Sequence, residues 1–327
     1  MWPIIGHDWA VELLERCIRA GTTSHAYLIV GPAQVGKTAL ARAFAQALLC
    51  RSGLTSRQAD VPCGACRACQ LVQADRHPDV SLVIPEESRI KIEAIRELQQ
   101  TLSLSPVEGG YRICIIRRMD VATPSAANCL LKTLEEPPPR VILILTADGI
   151  ESLLPTIVSR CQVLSLRSVA KDRIVAALQE RGVERERALL LGSLAQGRVG
   201  WAMQASQDGR VLARREQILE KLLSLENASY RARFLWADQL SRKPDQVPDV
   251  LSVMSSWWRD VLVLASGSEV PIANRDRQSV LHEWAKRYGV QTARCVLRGI
   301  RDTGRRLELN ANRRLTLEVL MMDLPSK

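Results

Sequence analysis

The chain has 327 residues, 46% of them hydrophobic and 24% charged, enough for two or three domains that each bury a core. This composition excludes a disordered tail, a collagen-like repeat and a small disulfide-stapled domain. The net charge is +10, with 37 arginines against 8 lysines, a bias that favours recognition of phosphate or carboxylate through the planar guanidinium fork. Residues 209–327 carry +7 of that charge, from 21 Lys+Arg and 14 Asp+Glu.

In chain order, a helical pattern at 8–20 leads to an apolar run at Tyr27–Val30 and a second helix at 37–50. Further Val- and Ile-rich runs lie at Val80–Ile84, Arg112–Ile116, Val141–Leu145 and Gln162–Leu166, with helical patterns at 91–102, 124–136 and 151–159 between them. Short apolar runs of this kind suit strands buried on both faces of a parallel sheet. Their alternation with helices predicts a doubly wound α/β domain that binds ligands at the C-terminal strand ends. Beyond residue 167 the strand signals stop. Residues 170–206 read as a small helical unit broken at Gly182 and Gly197–Gly200, and 209–327 as a longer one broken at Lys243–Pro244, Gly267–Pro271 and Gly289. The expected domains are 1–167, 168–207 and 208–327.

Gly31-Pro-Ala-Gln34-Val35-Gly36-Lys37-Thr38 fits G-x-x-x-x-G-K-[ST] and lies between a predicted strand and a predicted helix, where a phosphate loop must be. Backbone N–H groups of such a loop wrap phosphates at a helix N-terminus. Lys37 would reach the β/γ-phosphates and the Thr38 hydroxyl would ligate Mg²⁺, so ATP or ADP with Mg²⁺ is the expected ligand. Hydrolysis also needs a carboxylate at the end of a neighbouring strand. The candidate strand Arg112–Ile116 runs instead into Arg117-Arg118-Met119-Asp120. An arginine there repels Mg²⁺ and activates no water; Asp120 would serve only if the register slipped. The site is built to hold nucleotide at most.

Cys63-Gly64-Ala-Cys66-Arg-Ala-Cys69 has C-x₂-C-x₂-C spacing, with Cys50 thirteen residues upstream. Four thiolates at these intervals form a closed tetrahedral site for structural Zn²⁺, with Gly64 allowing the tight turn. A C-x₂-C-x₂-C run also occurs in iron–sulfur ligation. The nine cysteines are an odd number. No export signal precedes them, since Asp8 and Glu12 fall where its apolar core would be, and no apolar run approaches the roughly 20 residues of a bilayer span. Reduced thiols or metal ligands in a cytoplasmic protein are therefore expected.

Ile4-Ile5-Gly6-His7, Ser24-His25-Ala26-Tyr27, the phosphate loop, the four cysteines, His77-Pro78-Asp79, the Asn128–Pro138 stretch with its L-L-K-x-L-E-E-P-P run, and Ser159-Arg160-Cys161 follow in this order. Together they make a sequence that resembles the bacterial clamp-loader AAA+ proteins over residues 2–206, and again near Leu307–Leu320. The resemblance implies an α/β ATPase-type domain, a helical lid and a helical collar within a hetero-pentameric ring. It implies gamma/tau motor and delta subunits as partners, and the sliding clamp and primer–template DNA as objects of the complex. Motors of the family carry an Asp-Glu pair where this chain has Arg117 and Arg118. They also carry a lid arginine where it has Trp201, within Gly200-Trp201-Ala202. Both departures favour a non-hydrolysing subunit. The resemblance gives Arg160 the role of an arginine finger that enters a neighbouring motor's ATP site; an ion pair with an acid of its own domain is the alternative. A motor with an unusual acidic site and a stand-alone adaptor are the competing functions.

Two further features stand apart. Arg294, Arg298, Arg301 and Arg305 recur at spacings of 4, 3 and 4 along one helix face. That face is either solvated or a contact for DNA phosphates or acidic partner surfaces. Trp257, Trp258 and Trp284 read as core or subunit contacts rather than base-stacking platforms.

Overall fold

The computed structural model describes residues 2–50, 61–86, 89–108, 110–309 and 311–326. Five strands form one sheet: β1 Ala26–Val30, β2 Val80–Val83, β3 Arg112–Ile116, β4 Val141–Ala147 and β5 Gln162–Ser165. Their order is β2-β3-β4-β1-β5 with every pairing parallel. The chain leaves β1 toward β2 on one side and leaves β4 toward β5 on the other. The crevice between β1 and β4 is therefore the topological switch point where such sheets bind ligands.

Alternation along the strands divides the core. Tyr27, Ile29, Ile113, Ile115, Ile142 and Ile144 pack on one face with Leu40 and Phe44 of helix α2 (Lys37–Leu49). Leu28, Cys114, Ile116, Leu143 and Leu145 face the other way, against Ile95 and Leu98 of α4 (Ile92–Leu102) and Leu130 of α5 (Pro124–Glu135). Both faces are covered, which is why the strands lack polar alternation. Helix α1 spans Asp8–Ala20 and α3 spans Arg67–Gln73. Thr123 caps α5 by accepting the Ala126 N–H, and Pro124 opens that helix at its first position. The helix predicted over 151–159 is only one turn, α6 (Pro155–Val158), because Pro155 starts it and turns occupy the residues before.

The chain forms two compact units, residues 1–177 with 197–200 and residues 178–196 with 201–327. After β5 come α7 (Lys171–Gln179), α8 (Arg185–Ala195), α9 (Val199–Gln207), α10 (Gly209–Ser224), α11 (Tyr230–Ser241), α12 (Val247–Ala265), α13 (Gln278–Glu308) and α14 (Arg313–Asp323). The predicted breaks at Lys243–Pro244 and Gly267–Pro271 are present. The predicted break at Gly289 is present as a kink between two helical segments of α13, its φ of 63° and ψ of −178° lying outside the helical region. Two breaks carry no Gly or Pro signal. One is at 225–229, where Ser229 caps α11; the other precedes α14, which Asn312 caps.

The core of the second unit is built on Trp257, Trp258 and Trp284, with ring centroids 5.5 Å and 5.2 Å from Trp284. These tryptophans are core residues, as the sequence suggested. Two buried polar groups brace the same unit. Asp260 accepts the backbone N–H groups of Ala273 and Asn274 at 2.8 and 2.7 Å. The fully buried Arg233 donates to the carbonyls of Leu225, Met321, Leu324 and Pro325. Among the described residues no helix is long and apolar enough to cross a membrane.

Candidate functional site

The phosphate loop turns out of β1 at the switch point. Gly31 has φ +152°, and a Cβ on it would lie 2.5 Å from the Leu166 carbonyl oxygen, so only glycine lets the loop pass β5. Gly36 (φ +115°) precedes α2, whose first turn has no side-chain cap, and a Cβ at Gly36 would meet nothing within 4 Å. An uncapped helix N-terminus facing open space is an anion site in waiting. Val35 is buried beneath the loop, Gln34 and Thr38 stand at its surface, and the Gln34 carbonyl accepts the Gly200 N–H at 2.8 Å. The sequence-predicted residues Gly31, Gln34, Val35, Gly36, Lys37 and Thr38 are thus assembled as one loop.

Lys37 is nearly buried, its side chain 8% exposed. Its ammonium donates to the carbonyls of Gly31 and Pro32 at 2.5 and 2.9 Å and to Asp148 Oδ1 at 2.6 Å. Sequence reasoning missed Asp148. The signal was available once the sheet order was known: β1 and β4 run in parallel register with Val30 opposite Ala147, so the residues following each strand, Gly31 and Asp148, meet.

The end of β3 is the other half of the site. Ile116 is its last strand residue, and Arg117 and Arg118 follow with exposed side chains. The Arg117 N–H donates to the Val83 carbonyl, and the Arg118 N–H, at φ 55°, to the Thr146 hydroxyl. The strand register is unslipped, with Ile116 opposite Leu145. Asp120 lies in a 3₁₀ turn, where its Oδ1 accepts the Asp148 N–H at 3.2 Å and its Oδ2 stands 3.6 Å from Arg118. Cations and anions therefore alternate from Lys37 through Asp148 and Asp120 to Arg118. Each acid at the mouth of the loop is already matched by a cation of the chain, and the positions directly after β3 hold two positive charges.

The four predicted ligands Cys50, Cys63, Cys66 and Cys69 come together, their Sγ atoms all within 4.8 Å of one another. A tetrahedral ion with bonds of about 2.3 Å sets its sulfurs about 3.8 Å apart, so the donors fit such an ion with a small contraction. Cys50 ends α2, Cys66 begins α3 and Cys69 lies inside it, while Gly64 makes the turn with φ +72°. The Cys63 N–H points at Cys50 Sγ (3.5 Å) and the Cys66 N–H at Cys63 Sγ (3.4 Å). Such donors stabilise thiolates. Burial pushes the Cys69 thiol well above the usual range, a cost that a cation among the sulfurs removes. The remainder of the 50–69 module, residues 51–60, lies outside the described residues. His77-Pro78-Asp79 serves as a brace: buried Asp79 accepts the Val107 and Glu108 N–H groups at 2.6 and 2.8 Å, and Glu108 lies 3.3 Å from Arg67 of α3.

Arg160 follows the short helix α6 near the surface. Its guanidinium donates to the Thr156 carbonyl at 3.0 Å and pairs with Glu135 Oε1 at 2.7 Å, with side chains 35% and 50% exposed. The ion pair within its own domain is thus the arrangement in this chain, and Glu135 of the E-E-P-P run is the acid. Cys161 beside it is a packing residue, its thiol pushed up to about 12 by burial.

A sequence model of the family described as "DNA polymerase III, delta subunit" matches residues 6–170. The DNA polymerase III subunit delta' of Bacillus subtilis is 29% identical over 96% of this chain and 94% of that protein. The subunit delta' of Haemophilus influenzae is 29% identical over 97% of this chain and 95% of its own length. The subunit tau of Escherichia coli is 32% identical, but over 64% of this chain and 33% of that protein. Half the chain fits the family model and nearly its whole length aligns with delta' proteins; the chain belongs to the DNA polymerase III delta subunit family, with an α/β domain of parallel sheet and a helical C-terminal unit.

Proposed function

We propose that this chain is the delta-prime subunit of a bacterial clamp loader, a stator that does not hydrolyse ATP and supplies Arg160 to the ATP site of an adjacent gamma/tau motor. One observation carries the reading: a well-formed phosphate loop stands beside a strand end that presents Arg117 and Arg118 in place of metal-binding acids. The loop supports binding of ATP or ADP, while the two arginines disfavour Mg²⁺ and leave no base for the attacking water. Arg160 supports the finger role through its exposure. An exposed ion pair is worth about 0–1 kcal/mol, so Glu135 holds the guanidinium at the surface at little cost to its release onto a γ-phosphate.

The four cysteines would hold a structural Zn²⁺ that joins the end of α2 to α3. The organisation we infer is an α/β domain at 1–167, a lid at 168–207 and a collar at 208–327, within a cytoplasmic hetero-pentamer with gamma/tau and delta subunits that loads the sliding clamp on primed DNA. The test is the ATPase rate of a loader reconstituted with Arg160→Ala or Lys37→Ala. A large loss with Arg160→Ala and little with Lys37→Ala supports the stator. Equal losses would make the chain a motor. Elemental analysis tests the metal: about one zinc per chain is expected, and almost none in Cys63→Ser.

A further inference from the structure

The arginines of α13 form a surface that the clamp-loader reading does not use. At 3.6 residues per turn, Arg294, Arg298, Arg301 and Arg305 fall within about 60° of arc and span about 16 Å of helix. Ala293, Val296, Ile300 and Thr303 are buried on the opposite side, so the four guanidiniums stand on the solvent face. All four are exposed, and among the described residues none makes an ion pair or side-chain hydrogen bond. Two acids of the helix lie near, Asp302 beside the row and Glu308 one turn beyond Arg305, both exposed, and a third, exposed Asp323 of α14, stands against Gly299. None is paired with the row, although a spacing of three or four residues brings the two of the helix within reach. Arg306 adds a further exposed positive charge at the flank. Solvated helix faces ordinarily mix signs; here one sign repeats at each turn.

We propose that this face binds the phosphate backbone of DNA without reading sequence. Three observations select that partner. The charges are arginines, whose forks bind phosphate oxygens in pairs. They repeat at axial steps of about 6, 4.5 and 6 Å, as the charges of a polyanion do. Between the arginines stands no exposed large apolar side chain of the kind that dominates protein interfaces, the first being Leu309 one turn beyond Arg305. The aromatic residues of α13, Trp284 and Tyr288, stack inward against Trp258. No base-stacking platform accompanies the row, so contacts are to backbone alone, and duplex is favoured over single strand. The proposal goes beyond the stator reading and depends on neither Arg160 nor the phosphate loop.

The test measures binding of a fluorescent 30-base-pair duplex, and of a single strand of the same length, to the whole chain by anisotropy from 50 to 200 mM salt. Wild type is compared with Arg294→Gln/Arg298→Gln/Arg301→Gln/Arg305→Gln, whose exposed positions leave thermal unfolding unchanged. Each phosphate contact contributes about 0.9 to the log–log salt slope on duplex and about 0.7 on a single strand. The expected result is a slope shallower by about 3 to 4 on duplex, equivalent to losing an approximately 100-fold salt sensitivity across that range. A charge-matched control replaces Arg96, Arg185, Arg231 and Arg275, exposed residues outside this helix, and should keep most of the slope. An equal loss in the control would overturn the proposal, because binding would follow net charge alone. It would also fall if the row variant bound DNA like wild type, or lost only binding to a glutamate-rich peptide, which would mark an acidic protein partner. A deficit confined to single strand would overturn it as well, because the row would then not be holding duplex.

Discussion

Arg160 and Arg233 carry the same guanidinium into opposite surroundings. Arg233 is 1% exposed and gives its hydrogen bonds to three carbonyls at the end of α14, the negative pole of that helix, and to the Leu225 carbonyl at the end of α10. Arg160 is 35% exposed and holds one carboxylate and one carbonyl at the edge of the α/β unit. The first has both terminal nitrogens committed, two carbonyls to each, and its removal orphans buried acceptors. The second is held lightly and remains available. Arginine-rich composition thus divides into charges that build the fold and charges that the fold presents.

Mutation separates the two kinds. In the reconstituted loader, Arg160→Ala should lower turnover of the neighbouring motor by about 10³-fold or more, the scale of a finger supplied in trans, with the chain's own melting unchanged. Arg233→Met should do the reverse. It should destabilise the helical unit by about 3 kcal/mol, seen as a lower denaturant midpoint and faster amide exchange in Leu317–Leu324, while any surviving folded protein supports normal turnover. If Arg233→Met left stability intact, the division between builders and presenters would fail. Glu135→Gln is the smallest effect and sharpens the contrast: less than about 1 kcal/mol in stability, with turnover maintained because the finger itself remains.

Much of this was legible in the sequence. The strands fall within two residues of their predicted limits because Val and Ile runs buried on both faces leave few alternatives, and the cysteine cluster follows from spacing alone. The phosphate loop is likewise local, with its glycines, lysine and following helix contiguous. The partners of its functional groups are not. Asp148 meets Lys37 across 111 positions of sequence, a contact set by the pairing of β4 with β1. Glu135 meets Arg160 because α5 and α6 end close together. Periodicity reports which face of an element is buried, not which elements become neighbours. The overlong helix at 151–159 has a local cause: Pro155 marks a helix start, and the residues before it had been counted as helix.

Helix α2 gives the α/β unit an unusual piece of mechanics. It begins in the phosphate loop and ends at Cys50, and ten of its 13 residues are buried. That is a rod about 20 Å long, clamped at one end by the glycine turn and at the other by a cluster of sulfurs. A rod fixed in this way has little freedom to bend, so a displacement at one end is carried to the other. Cobalt substituted into the cysteines would then act as a colorimetric gauge of what happens at Lys37.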